Sequence, residues 1–173
     1  MNRAETTELF AVLMLAYPNA DTFKAPDQRQ LMEKLAPTIT LWAACLKDVD
    51  LWTAQQSVVR LCQTCKYPPT IAELREAVLA VRADTGREIE DAYNEARNAF
   101  RLADLSGQTA EEIVAGLSKR TRKTIEAMGG LDAFMPPDKD FFDMGGFKRT
   151  YERLLRTNPV GLPAGAAVPG LTE

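Results

Sequence analysis

Cys62-x-x-Cys65 is the spacing in this chain with the most direct chemical meaning. Two thiols three residues apart can ligate a metal or exchange as a disulfide. A structural zinc needs four ligands; the only other cysteine is Cys45, and the chain has no histidine. A thioredoxin-like exchange needs a βαβ setting, which the sequence does not offer. Both cysteines fall on the apolar face of a helical pattern, where a thiol behaves as a small hydrophobe. The expectation is no metal and no cofactor.

The missing histidine also removes His-based triads and imidazole general bases. No glycine pair is followed by the Lys-Ser/Thr of a phosphate-cradling loop, which counts against an ATPase. Acidic pairs such as Glu111-Glu112 and Glu88/Asp91 read as helix caps and solvated faces rather than acid/base dyads. With no catalytic set, the chain is expected not to be an enzyme.

Two groups of residues could bind rather than react. Lys119-Arg120-Thr121-Arg122-Lys123 puts four cations in five residues of a helix, able to grip phosphates. The competing reading is a solvated face that balances the acidic stretch before it. The second group is Lys148, Arg149, Arg153 and Arg156 with Phe141, Phe142, Phe147 and Tyr151. Aromatics beside arginines suit a protein-binding hot spot, although aromatics at this spacing also build cores.

The elements that must position these groups are helical throughout. No period-2 alternation is bounded by turn signals, so the expected fold is all-α. Thr6 or Thr7 can cap a first helix whose face is Leu9, Leu13, Ala16 and Tyr17, ended by Pro18-Asn19. Asp27 to Lys47 follows, kinked or split at Pro37, with Ile39, Trp42, Ala43 and Leu46 as its later stripe. Asp48 or Asp50 can cap a third helix with Leu51, Ala54, Val58, Leu61, Cys62 and Cys65 inward. A helix over Ile71–Arg82 comes next, and a boundary is expected near Ala83 to Gly86. There Thr85-x-x-Glu88 forms a capping box ahead of Ile89, Tyr93, Ala96 and Phe100. Ser106-Gly107 stops that helix. Thr109-x-x-Glu112 starts another, running through Ile113, Val114, Leu117, Ile125 and Met128 to a left-handed stop at Gly129-Gly130. Pro136-Pro137 makes a rigid turn, and Gly145-Gly146 interrupts or opens a last stripe of Met144, Phe147, Tyr151, Leu154 and Leu155. Residues 158–173 are rich in proline, glycine and small side chains and are expected to be flexible. The organisation is thus a helical bundle over 1–83, a helical subdomain over 84–157, and a tail.

At 173 residues and 46% hydrophobic, the chain can bury one good core or two small ones. The net charge of −3 is unevenly spread: zero over 1–83, −5 over 84–118 and +2 over 119–173. A field fit for nucleic acid over the whole protein is therefore not indicated, while a local basic patch is. Three cysteines do not make a disulfide scaffold, so a reducing compartment fits. The apolar run Leu9–Tyr17 is preceded by Glu5 and Glu8 where a signal peptide is basic, and is too short for a membrane span. The expected setting is cytoplasmic.

The chain's most distinctive stretch is Lys66-Tyr67-Pro68-Pro69-Thr70-Ile71-Ala72-Glu73-Leu74. Two prolines end any arriving helix, and Thr70-x-x-Glu73 starts the next with a capping box. Tyr67, Pro68, Pro69, Thr70 and Glu73 are read as a structural corner. Ahead of it come a helix ending in Tyr17-Pro18, then Leu41-Trp42-x-x-x-Leu46-x-Asp48, then a third helix. This order resembles the N-terminal domain of the phage helicase loader and inhibitor family over roughly residues 5–82. Residues 88–155 are also similar to the second half of such phage proteins: a helix bearing Tyr93, Leu117 to Gly130, then Phe147-x-x-x-Tyr151. The chain runs past the shortest family members. The resemblance implies a non-catalytic adaptor in a bacterial host. Its partner would be a DnaB-type hexameric replicative helicase, held inactive or delivered to a phage origin-bound initiator. The last helix and the tail are the expected partner-binding region, on physical grounds rather than by motif. Two other classes stay open: a replication-associated DNA-binding protein that uses Lys119–Lys123, and a phage assembly chaperone.

Overall fold

A computed structural model describes residues 1–135 and 142–157. Eight α-helices and one 3-10 turn at Asp21–Phe23 account for its regular structure, with no strand among the described residues, as expected. The helices are α1 (Arg3–Ala16), α2 (Gln28–Cys45), α3 (Leu51–Cys62), α4 (Ile71–Ser106), α5 (Ala110–Gly116), α6 (Lys119–Met128), α7 (Leu131–Phe134) and α8 (Met144–Thr157). Contacts divide the chain into two compact units, one over Met1–Ala83 and the other beginning at Asp84. The Pro136-Pro137 turn, Phe141 and the tail from residue 158 lie outside the described residues.

In the first unit α1 packs against both α2 and α3. Its helix starts earlier than Thr6: Asn2 is the cap, accepting from Glu5 N at 2.9 Å while Glu5 Oε2 accepts from Asn2 N at 2.7 Å. Thr6 and Thr7 instead donate back to the Asn2 and Arg3 carbonyls, as helix-interior threonines do. Asp27 caps α2, which runs through Pro37 as one helix rather than splitting. Leu9, Phe10, Leu13, Leu35, Ile39, Trp42, Leu46, Val58, Leu74 and Val78 form the core, with the Phe10 ring edge-on to Trp42 at 5.1 Å. Fully burying each such side chain contributes about 1.5–3 kcal/mol before chain entropy is counted. The Met1 amino group donates to the Leu46, Lys47 and Val49 carbonyls and ties the start of α1 to the loop that follows α2.

The boundary expected near Ala83 to Gly86 is not a helix break, because α4 continues from Ile71 to Ser106. Gly86 costs an exposed helix about 1 kcal/mol relative to alanine, which lowers helicity without ending it. Gly107 does end it, at φ +69°. The helix expected from Thr109 to Met128 is in turn two helices. Thr109 and Glu112 form the capping box of α5, and the chain breaks at Leu117, whose backbone is extended. Ser118 then caps α6. Gly129, at φ +111°, closes α6 in the left-handed region, as the glycine pair predicts. Asp143 opens α8, its carboxylate accepting from Gly146 N at 2.8 Å. A side chain on Gly146 would strike that carboxylate and crowd Met128, so a larger residue there would have to displace the Asp143 cap.

Candidate functional site

In the first unit the Pro-Pro corner is built as its residues dictate. Thr70 N donates to Glu73 Oε2 at 2.7 Å and Glu73 N to Thr70 Oγ1 at 3.2 Å. The bonds that Thr70 N and then Thr70 Oγ1 donate to Glu73 Oε2 hold the Glu73 carboxyl below its usual range. Pro69 is buried, Leu74 fully so, and α4 starts from a fixed direction. Tyr67 is not part of that packing: it is 71% exposed, with the Lys66 ammonium 5.6 Å from the ring centre.

One turn into α4, Arg75 reaches Asp48 with both guanidinium nitrogens, at 2.9 and 3.0 Å, and donates to the Cys45 carbonyl at 2.7 Å. Arg82 adds a bond to the Asp48 carbonyl at 2.8 Å. The α2–α3 loop is thereby held on α4 by a planar fork that lysine cannot reproduce. The hydrogen bonds from Arg75 depress the Asp48 carboxyl pKa. Asp48 thus closes the loop, and the cap of α3 is Asp50, accepting from Thr53 N at 3.1 Å.

The cysteines hold no shared site. Cys62, the last residue of α3, is exposed, contrary to its expected place on the buried face; Cys45 and Cys65 are half-buried. Among the described residues no group of three or more Cys, Asp or Glu side chains could hold a metal. Burial, then the neighbouring Cys62 and Cys65 thiols and Glu73, push the Tyr17 hydroxyl up to about 12.

In the second unit the aromatics expected at a partner surface form the core. Phe134 is fully buried with Tyr93, Phe100, Phe142 and Phe147 around it, ring centres 5.2 to 6.0 Å away. Phe147 and Tyr151 are themselves buried and Phe142 half-buried. What α8 turns to solvent is Lys148, Arg149, Arg153 and Arg156. The expected set of eight is therefore divided: core rings inside, cations outside, and Phe141 beyond the described residues.

The basic run divides as well. Thr121 is buried, and Arg120 pairs with Glu88 of α4. Tyr151 Oη donates to the same Glu88 oxygen at 2.8 Å, and burial followed by this bond pushes Tyr151 up to about 12. Arg122 is half-buried beside an open groove of about 330 Å³ lined by Ala110, Glu111, Val114, Ala115 and Leu131. Lys119 and Lys123 are left exposed. Glu95 of α4 accepts from Ser118 N at 2.7 Å and Ser118 Oγ at 2.9 Å, and also from Thr121 Oγ1. Burial alone would raise the Glu95 carboxyl; bonds from Thr121 and Ser118 outweigh it and hold the group below its usual range. No local pattern in the sequence points to Ser118 or Glu95, because their partnership spans 23 residues.

Among the described residues no helix is long and apolar enough to cross a membrane. Residues 1–75 match the family model for the N-terminal domain of a phage helicase loader and inhibitor. The match takes in α1, α2, α3, the Pro-Pro corner and the start of α4 as far as Arg75, and bears out the resemblance over that stretch. No curated protein and no solved structure matches the chain.

Proposed function

We propose that this chain, whose first 75 residues match a phage helicase loader and inhibitor domain, is a non-catalytic adaptor of phage or prophage DNA replication. It binds a DnaB-type hexameric replicative helicase in the cytoplasm of a bacterial host, holding it inactive, delivering it to an origin-bound initiator, or both. The observation that carries this reading is the family match over a unit whose joints are made by residues inside the match, Asp48 with Arg75 and Thr70 with Glu73.

An adaptor of this kind needs surfaces rather than a pocket. Binding energy at protein interfaces concentrates in apolar and aromatic anchors that become desolvated. The first unit offers Tyr67 at 71%, Leu79 at 67%, Leu15 at 59% and Leu41 at 58% exposure. The exposed side of α8 offers cations without such an anchor, so the helicase contact is assigned to the first unit, around Tyr67 and Leu79.

The test is a titration of purified helicase ATPase with this chain. A saturable fall in turnover is expected, and Tyr67→Ala with Leu79→Ala should raise the half-inhibiting concentration at least tenfold with melting unchanged. Turnover that stays constant up to a large molar excess, together with no complex, would remove the helicase reading.

A further inference from the structure

Helices α6 and α8 carry four cations each against one carboxylate each, Glu126 and Glu152. They pack on one another within the second unit and run antiparallel. Near the start of α6, Arg120 meets the same Glu88 oxygen as Tyr151 of α8; at its end, Met128 lies against Gly146. The first turns of α6 therefore sit level with the later turns of α8, and two basic runs far apart in sequence come together on one helix pair. Two α4 carboxylates meet α6: Glu88 takes Arg120, and Glu95 takes Ser118 and Thr121. Among the described residues, Lys119, Lys123, Lys148, Arg149, Arg153 and Arg156 are exposed and have no ion-pair partner.

We propose that the exposed side of the α6–α8 pair is a binding surface for the phosphate backbone of DNA. The proposal does not depend on the helicase reading. Six unpaired cations on one helix pair create a local positive potential on a protein whose net charge is −3. Arg149, Arg153 and Arg156 follow one another at i, i+4 and i+7, so neighbouring guanidinium groups rise along one helix face at a spacing suited to successive phosphates. The exposed large apolar side chains of the described residues are Leu15, Leu41, Tyr67, Leu79 and Met135, none of them on α6 or α8. A protein partner would find no anchor here, and bases would find no ring to stack on, since Phe147 and Tyr151 are buried. What remains is charge against phosphate. Recognition is accordingly independent of base sequence and strongly salt-dependent.

The experiment is fluorescence anisotropy of the full chain with labelled duplex and single-stranded DNA of mixed sequence. Four to six phosphate contacts predict a log–log salt slope of about −3 to −5, so affinity drops about a hundredfold or more between about 50 and about 200 mM salt. Arg149→Glu with Arg153→Glu should weaken binding at least tenfold, and Lys24→Glu with Arg29→Glu on the first unit should leave it within twofold. Lys119→Gln with Lys123→Gln, which touches neither α8 nor any hydrogen bond, should weaken it several-fold and so covers the case in which the α8 variant fails to fold. The surface is refuted by absence of binding at about 50 mM salt, by binding that the α6 and α8 variants leave unchanged, or by polyglutamate competing as well as DNA per charge. The last result would assign the surface to an acidic protein.

Discussion

Tyr17 and Tyr151 are held neutral by burial first, and in Tyr151 also by the bond to Glu88, so both titrate near 12 rather than 10. A proton retained longer in the folded state than in the unfolded chain stabilises the fold at every pH below the unfolded value. That contribution is lost as pH climbs from about 10 towards 12. Stability measured by urea denaturation is therefore expected to fall over that window, and Tyr151→Phe should flatten the fall while costing about 1 kcal/mol near neutral pH through the lost Glu88 bond. A slope that Tyr151→Phe and Tyr17→Phe leave untouched would contradict the assignment. Glu95 behaves oppositely. Its carboxyl is depressed in the fold, so its contribution is complete above the ordinary value near 4.5 and disappears as pH falls through the lower folded value. Glu95→Gln should lower Tm at neutral pH and reduce the acid sensitivity, since the start of α6 then loses a charged acceptor shared by Ser118 and Thr121. An unchanged acid midpoint would show that the network contributes nothing.

At the scale of the element, legibility follows distance along the chain. The boxes Thr70-x-x-Glu73 and Thr109-x-x-Glu112 are readable because donor and acceptor are three residues apart, and both form. Thr85-x-x-Glu88 has the same lettering and starts nothing: it lies inside α4, and Glu88 is engaged by Arg120 and Tyr151 from far along the sequence. Ser118 is the reverse case. It is a cap whose reciprocal carboxylate, Glu95, comes from α4, so no local pattern announces the α5–α6 break. Apolar periodicity found the α8 stripe, yet it could not say whether Phe147 and Tyr151 face a partner or the core of their own unit, because either placement satisfies the same spacing. These contrasts give a paired prediction. Thr70→Ala should cost about 1 kcal/mol in denaturant titration, whereas Thr85→Ala, in a helix interior, should fall within about 0.5 kcal/mol of the parent. Equal losses would mean that the Thr85 box acts as a helix start after all. A second test concerns the joint between the α2–α3 loop and α4: Arg75→Lys keeps the charge but loses the fork on Asp48, and should lower Tm measurably.

For the molecule as a whole, charge and apolar surface are distributed unequally. Four of the exposed large apolar side chains, Leu15, Leu41, Tyr67 and Leu79, belong to the unit that contains the family match, and the unpaired cations of α6 and α8 belong to the other. The Asp48–Arg75 link, 27 residues apart and joining a loop to a helix, is the kind of contact that composition and periodicity do not reveal, although both of its residues stand within the matched stretch. On the proposed function, the exposed apolar side chains of the first unit would anchor the protein partner, and the second unit carries the exposed cations. The most direct measurement is co-elution of the full chain with a purified DnaB-type hexameric helicase on size exclusion, at a salt concentration that suppresses charge-only contacts. A stable complex is expected that survives Arg149→Glu with Arg153→Glu and is lost in Tyr67→Ala with Leu79→Ala. Separate elution of the two proteins under conditions where both remain folded would contradict it.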